Sequence, residues 1–213
     1  MSEDILDPQV SEYLESLVPS RDSVLQAMED YAAREHFPII GPACGQLCYQ
    51  VARMINARQV FELGSGFGYS TAWFARAVKE NGGGSVHHVV WDAELSKRAR
   101  KHLSELGYDD IMQYTIGEAV AALNKAPGPF DIVFNDIDKV GYPASLPIIK
   151  EKLRSGGVLI IDNMLWSGRI FDRTNLRPNT EAIRLFTEMI TTDEDWIVSL
   201  VPIRDGLIIA TKK

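Results

Sequence analysis

The segment Val60-Phe61-Glu62-Leu63-Gly64-Ser65-Gly66-Phe67-Gly68-Tyr69-Ser70-Thr71 limits the fold more than any other part of this chain. It reads as a buried strand that runs into a glycine turn and then into a helix. Open α/β sheets bind ligands at the carboxyl ends of their strands, where glycines let a ligand approach the backbone. The spacing is GxGxG with an acid, Glu62, two residues before the first glycine. A dinucleotide fingerprint would place a third glycine at position 69, where this chain has Tyr69, and no GxxxxGK[ST] phosphate loop is present. Taken alone, the turn is equally compatible with a purely structural bend.

Periodicity extends the α/β reading along the chain. Strands are expected at 60–63, 86–90, 112–116, 132–135, 158–161, 197–201 and 207–210, and helical stretches separate the first five. One such helix, Glu94 to Leu106, sets Leu95, Ala99, Leu103 and Leu106 on one face and stops at Gly107. Alternating strands and helices predict a parallel sheet with helices on both faces. Only Pro202 to Gly206 separates the last two strands, far too little for a parallel crossover, so these should form an antiparallel hairpin. Before the sheet, Val10 to about His36 reads as a helical preface. Val24, Leu25, Met28, Tyr31 and Ala32 share a face behind Ser20 as N-cap. Pro38 and Pro42 break the pattern, and Ala43 to Ile55 resumes it. No repeat or linker divides the chain, so residues 1–213 are read as one domain with 1–36 as its preface.

Bulk properties narrow the function. With 213 residues, 46% hydrophobic and 24% charged, the chain can bury a full core, roughly 70% of its unfolded surface. A net charge of −7 offers no basic field for nucleic acid. The acidic start Met1-Ser2-Glu3-Asp4 precedes no apolar leader, and no run of about 18 apolar residues occurs, so a cytoplasmic protein without a membrane partner is expected. Cys44 and Cys48 lack the further ligands of a structural zinc site and read as reduced, partly buried thiols.

Asp136 ends one buried strand, and Asp162-Asn163 end the next, Val158 to Ile161. If those strands are neighbours, three oxygen side chains converge at one sheet edge, a donor set suited to Mg²⁺ with Mn²⁺ or Ca²⁺ as alternatives. His87 and His88 are adjacent in a strand and point to opposite faces, so they do not compete as ligands.

Several motifs in order add a resemblance. They are Gly45-Gln46-Leu47, the glycine turn with Gly68-Tyr69-Ser70-Thr71, Gly117-Glu118-Ala119, Phe130 through Lys139, Gly156-Gly157-Val158 through Gly168, and Asp205-Gly206-Leu207. From about Pro38 to Lys213 the chain resembles the cation-dependent O-methyltransferases of the catechol O-methyltransferase and caffeoyl-CoA O-methyltransferase type, including bacterial small-molecule enzymes. The resemblance implies a Rossmann-like, seven-stranded sheet, mostly parallel with a C-terminal antiparallel hairpin. It implies S-adenosylmethionine as cofactor, a divalent cation, a hydroxylated aromatic acceptor and a homodimer.

By the same resemblance, Glu62, Gly64, Gly66 and Ser70 hold the methionine end of the cofactor, with the loop around Ile40 closing over it. Glu118 and Ala119 lie beside the adenine, and Asp138 near the amino group, with Asp136 serving both cofactor and cation. Asp136, Asp162 and Asn163 hold the metal. Lys139, three residues after Asp136, is the base that takes the proton of the acceptor hydroxyl, and Trp166 lines the acceptor pocket. One position departs from the family. The acid that bonds the ribose hydroxyls is replaced by Val90, and Asp92 either substitutes for it or caps the following helix. A nicotinamide-dependent oxidoreductase and a non-catalytic binding protein of the same fold are the rival readings.

Overall fold

A computed structural model describes residues 5–213; the Met1 to Asp4 segment, read above as lacking an apolar leader, lies outside the described residues. The preface is two helices, α1 (Pro8–Ser16) and α2 (Ser23–Glu35), where the sequence reading had one continuous helical stretch. Pro19 lies in the break, because proline has no N–H to donate and clashes with a preceding turn. The α2 N-cap is Asp22, whose carboxylate accepts from the Val24 amide at 2.8 Å, in place of the expected Ser20. The core face of α2 is as expected, with Leu25, Met28 and Ala32 buried.

Next come α3 (Gly41–Met54), β1 (Gln59–Leu63), α4 (Tyr69–Glu80), β2 (Ser85–Val90), α5 (Ala93–Glu105), β3 (Met112–Ile116) and α6 (Ala119–Lys125). They are followed by β4 (Phe130–Asn135), α7 (Tyr142–Lys152), β5 (Leu153–Ile161), α8 (Pro178–Thr192), β6 (Trp196–Val201) and β7 (Leu207–Lys212). The seven strands form one sheet in the order β3-β2-β1-β4-β5-β7-β6. The first five pair in parallel, and β7 runs antiparallel to both β5 and β6. The expected topology, C-terminal hairpin included, is the observed one. Strand β5 begins five residues earlier than periodicity suggested, because Leu153 pairs with Phe130 across an irregularity in the register.

Each face of the sheet has its own core. One gathers Met28, Cys48, Trp73, Phe74 and Leu103 from α2 to α5 against Val60, Ile132 and Phe134. The other packs Leu123, Tyr142, Ile149 and Phe186 from α6 to α8 against Phe61, Val133 and Leu159. Helices α3 and α4 come together at Gly45, where an added Cβ would stand 2.3 Å from the Trp73 indole nitrogen. Cys44 and Cys48 are free and fully buried in this packing, more deeply than the sequence implied. Among the described residues no helix is long and apolar enough to cross a membrane.

Candidate active site

The strand order puts the switch of chain direction at β1 and β4, where successive connections leave to opposite faces, and open sheets place their ligands at that point. Gly64 leaves β1 at φ +87°, and a Cβ there would lie 2.4 Å from the Asp136 carbonyl oxygen. Only glycine lets the two strand ends close up so tightly. The Asp136 amide donates to the Leu63 carbonyl at 2.9 Å, and the Ser65 amide to the Val89 carbonyl at 2.9 Å, so the turn is tied to both neighbouring strands. Gly64→Ala is therefore expected to lower the melting temperature and weaken S-adenosylmethionine binding together, through roughly 1–3 kcal/mol of backbone strain. Calorimetric titration alongside a thermal melt checks this, and unchanged binding would mean the turn is no part of the site.

Beneath the turn, Glu62 is fully buried, and its carboxylate accepts from the Ser70 and Thr71 hydroxyls at the start of α4. Burial pushes the Glu62 carboxyl up to about 7, against the pull of those hydrogen bonds. Thr71 also meets His88 Nδ1 at 3.2 Å, whereas His87 stacks on Phe61 on the other face, as the alternation required. Glu62 lies below the recess above this turn, whose lining includes Ser70. Gly64, Gly66, Ser70 and Asp136 form a tight recess roofed by the Phe37–Ile40 segment, which Phe37 anchors by an edge-on contact with Phe67 at 4.8 Å. Ile40 is buried in that roof.

A cleft of about 550 Å³ opens beside the recess. Its lining brings together Gly64, Gly66, Asp136, Asp138, Lys139, Asp162, Asn163 and Trp166. Four residues named from sequence lie elsewhere. Glu62 is below the floor, and Asp92, Glu118 and Ala119 begin α5 and α6 at the ends of β2 and β3. These ends belong to the same sheet edge, since β1, β2 and β3 are consecutive neighbours. Asp92 Oδ1 accepts from the Glu94 and Leu95 amides at 2.7 and 3.0 Å, so it caps α5 and leaves Oδ2 without a hydrogen bond among the described residues. Glu118 caps α6 in the same way through Val120 and Ala121. Asp138 accepts from the Val140 amide at 3.3 Å at the start of a short helical turn, Lys139–Gly141.

The two acidic strand ends do converge. Strands β4 and β5 are parallel neighbours with Asn135 opposite Ile161, so Asp136 and Asp162 leave adjacent strands at the same level. Asp162 is 2% exposed, and its carboxyl is pushed up to about 7 by burial first and by the Asp136 charge second. Asn163, at φ +61°, donates Nδ2 to Asp205 at 3.1 Å, which leaves its amide oxygen free for another partner. No three His, Cys, Asp or Glu side chains cluster here or elsewhere among the described residues. The donors on hand are two carboxylates and an amide oxygen, a set that fits a hard cation retaining several waters.

Lys139 is 8% exposed and surrounded by acceptors. Its Nζ donates to Asp136 Oδ1 at 2.6 Å, the Tyr142 hydroxyl at 2.9 Å and the Ile137 carbonyl at 3.3 Å. Tyr142 in turn donates to the Asp162 carbonyl at 2.9 Å, which links lysine and both acidic strand ends in one network. Sequence reasoning missed Tyr142, although a tyrosine three residues past the lysine was visible. It also missed Phe37 to Ile39, Asn179 and Arg204 on the cleft wall, which no motif marks.

Comparison with known proteins fits this geometry. A family model described as O-methyltransferase matches residues 19–213. The catechol O-methyltransferase of Niastella koreensis is 28% identical, over 96% of each chain. Two solved structures superpose with TM-scores of 0.86. They are the O-methyltransferase TomG from Streptomyces achromogenes with S-adenosylmethionine, at 25% identity over 96% of each chain, and the Bacillus cereus O-methyltransferase with S-adenosylhomocysteine. The latter is 27% identical over 96% of this chain and 97% of that one. With the sheet order, the glycine turn and the match over 19–213 in agreement, this chain belongs to the S-adenosylmethionine-dependent O-methyltransferase family.

Proposed function

We propose that the enzyme methylates one hydroxyl of a catechol-like small molecule with the help of a divalent cation, Mg²⁺ by its donor set. The observation that carries this reading is the meeting of Asp136, Asp162, Asn163 and Lys139 on one cleft wall beside the glycine recess. S-adenosylmethionine supplies the methyl group. A cation held by Asp136, Asp162 and the Asn163 amide oxygen would supply Lewis-acid polarisation of the acceptor and balance the buried Asp162 and half-buried Asp136 carboxylates.

The chain's own residues do the rest. Lys139 Nζ, held in place by Asp136, Tyr142 and Ile137, accepts the proton of the acceptor hydroxyl. The Phe37–Ile40 roof keeps water from the recess, and Trp166 offers an aromatic wall to the acceptor ring. Gly64, Gly66, Ser70 and Asp138 receive the methionine end, with Glu62 acting through Ser70. Glu118 and Ala119 flank the nucleoside end. Orientation of two bound reactants contributes much of the rate. A homodimer in the cytoplasm completes the reading and rests on family likeness; light scattering on the purified protein checks the dimer.

The direct test is methyl transfer from S-adenosylmethionine to catechol and caffeate, with Mg²⁺ or with EDTA, read by product mass. Methylation of a lone phenol as readily as of a vicinal diol would overturn the catechol-like acceptor. Binding of neither cofactor nor acceptor would favour a non-catalytic protein. The ribose end gives a second check. Val90 closes β2 where the family resemblance calls for an acid, and it is buried. Val90→Glu is expected to tighten S-adenosylmethionine binding by about 1–3 kcal/mol, one charged hydrogen bond. Unchanged affinity in a folded variant would assign the ribose to Asp92 Oδ2 instead.

A further inference from the structure

Beyond the wall that carries Trp166, the cleft continues into a hollow of about 460 Å³ lined by Trp166, Arg169, Arg177, Pro178 and Asn179. Trp166 and Asn179 belong to both spaces, and Arg204 stands on the wall of the main cleft. These arginines are unlike Arg184 of the same region. Arg184 spends its donors on the carbonyls of Ile170 at 3.1 Å, Asn175 at 2.9 Å, Arg169 at 3.3 Å and Asp172 at 2.5 Å, and pairs with Glu181. It thereby braces the loop that presents Arg169.

Arg169, Arg177 and Arg204 form no ion pair with any carboxylate among the described residues. Arg169 lies over the Trp166 ring, 5.5 Å from its centroid, with one weak hydrogen bond of 3.5 Å to the Trp166 carbonyl. The guanidiniums of Arg177 and Arg204 make no hydrogen bond among the described residues. Solvated arginines are ordinary singly. Arg169 and Arg177, which leave most of their donors unspent around the hollow in a chain with 29 acidic against 22 basic residues, form a local field opposite in sign to the whole. Helix α8 begins at Pro178 beside the same hollow without a side-chain cap, which adds the positive end of its dipole. The opposite end of the cleft is acidic, at Asp136 and Asp162. The site is therefore polar along its length: carboxylates where the hydroxyls would sit, the Arg169 and Arg177 guanidiniums past the aromatic wall.

We propose that the acceptor is an aromatic diol bearing a carboxylate on the side away from its hydroxyls, and that Arg169 and Arg177 receive it. Arginine suits the task, since its planar fork matches a carboxylate with two parallel hydrogen bonds. The inference rests on reading the cleft as the acceptor site, and names the class of acceptor.

Matched acceptors test it. For the wild-type enzyme, kcat/KM for caffeate should exceed that for its methyl ester by roughly tenfold to a hundredfold, the worth of charge-assisted hydrogen bonds at a half-open site. Dopamine, with a cation in place of the anion, should rank below the ester. In Arg169→Gln, Arg177→Gln and the double variant, the ratio of acid to ester should fall stepwise toward unity. Each variant supplies its own control, because the ratio cancels any general loss from misfolding. A wild-type ratio at or below one overturns the proposal, as does a ratio the substitutions leave unmoved. Caffeoyl-CoA outperforming caffeate would replace the carboxylate by phosphate and overturn it too. If no acceptor is methylated, the proposed reaction fails by itself. The anion preference is then read by calorimetry of acid and ester on the protein saturated with S-adenosylhomocysteine, where equal binding overturns it and preferred binding of the acid sustains it.

Discussion

Lys139→Ala is expected to reduce kcat by about 10²- to 10⁴-fold, the usual contribution of a positioned general base, while S-adenosylmethionine affinity stays unchanged. The lysine is buried in the turn that follows β4, with Asp136, Tyr142 and Ile137 as its only hydrogen-bond partners among the described residues. Removing it leaves the Asp136 carboxylate without its ion-pair partner, so some loss of thermal stability should accompany the loss of rate. Two comparisons separate the base from the structural strut. Lys139→Arg keeps a cation against Asp136 but cannot release a proton at working pH, so it should restore stability and leave kcat low. Nitrocatechols ionise more readily and need less help from a base, so the defect should shrink as the acceptor grows more acidic. A defect of equal size across acceptors of differing acidity would assign Lys139 to structure alone.

What could be read from the sequence follows from which forces are local. Glycine at 64, alternating strands, and acids directly after buried runs are local signals, and each led to its element: the β1 turn, the seven strands with their C-terminal hairpin, and the placing of Asp136 and Asp162 at one sheet edge. Helix caps were half legible. Asp92 was weighed as a cap and does cap α5, whereas Ser20 was expected to cap the preface helix and Asp22, two residues nearer its apolar stripe, does so. The cleft wall was not legible, since it is made by distant segments. Arg204 comes from the turn of the β6–β7 hairpin, Asn179 from the start of α8, and Phe37 from the link between α2 and α3. None has a neighbour in sequence that shares its role. Glu62 shows the opposite case: its spacing to the glycines marked it, but the fold buries it under Ser70 and Thr71, so any influence on a ligand passes through their hydroxyls.

Chelation should abolish methyl transfer, and added Mg²⁺ should restore it, because the acceptor end of the cleft holds Asp136 and Asp162, whose repulsion the single Lys139–Asp136 ion pair offsets only in part. Asp162 is the sensitive member. It is 2% exposed, and burial together with the Asp136 charge pushes its carboxyl up to about 7 from an ordinary 3.8. Between those values the folded, cation-free protein keeps a proton that the unfolded chain has released, so stability should fall as pH rises across that window and level off above it. Mg²⁺ binding to the folded state alone should then raise the melting temperature most at pH above 7, where Asp162 is ionised. Asp162→Asn removes the buried charge but keeps the shape. The variant should melt at or above the cation-free wild type at pH 8, lose the Mg²⁺-dependent rise, and lose transfer, while still binding S-adenosylhomocysteine. Gain in cation-free stability with loss of activity is a pairing that a merely structural aspartate would not give. Full activity in EDTA, or an Mg²⁺-induced rise that survives Asp162→Asn, would remove the cation from the mechanism and leave Lys139 and orientation to account for the rate.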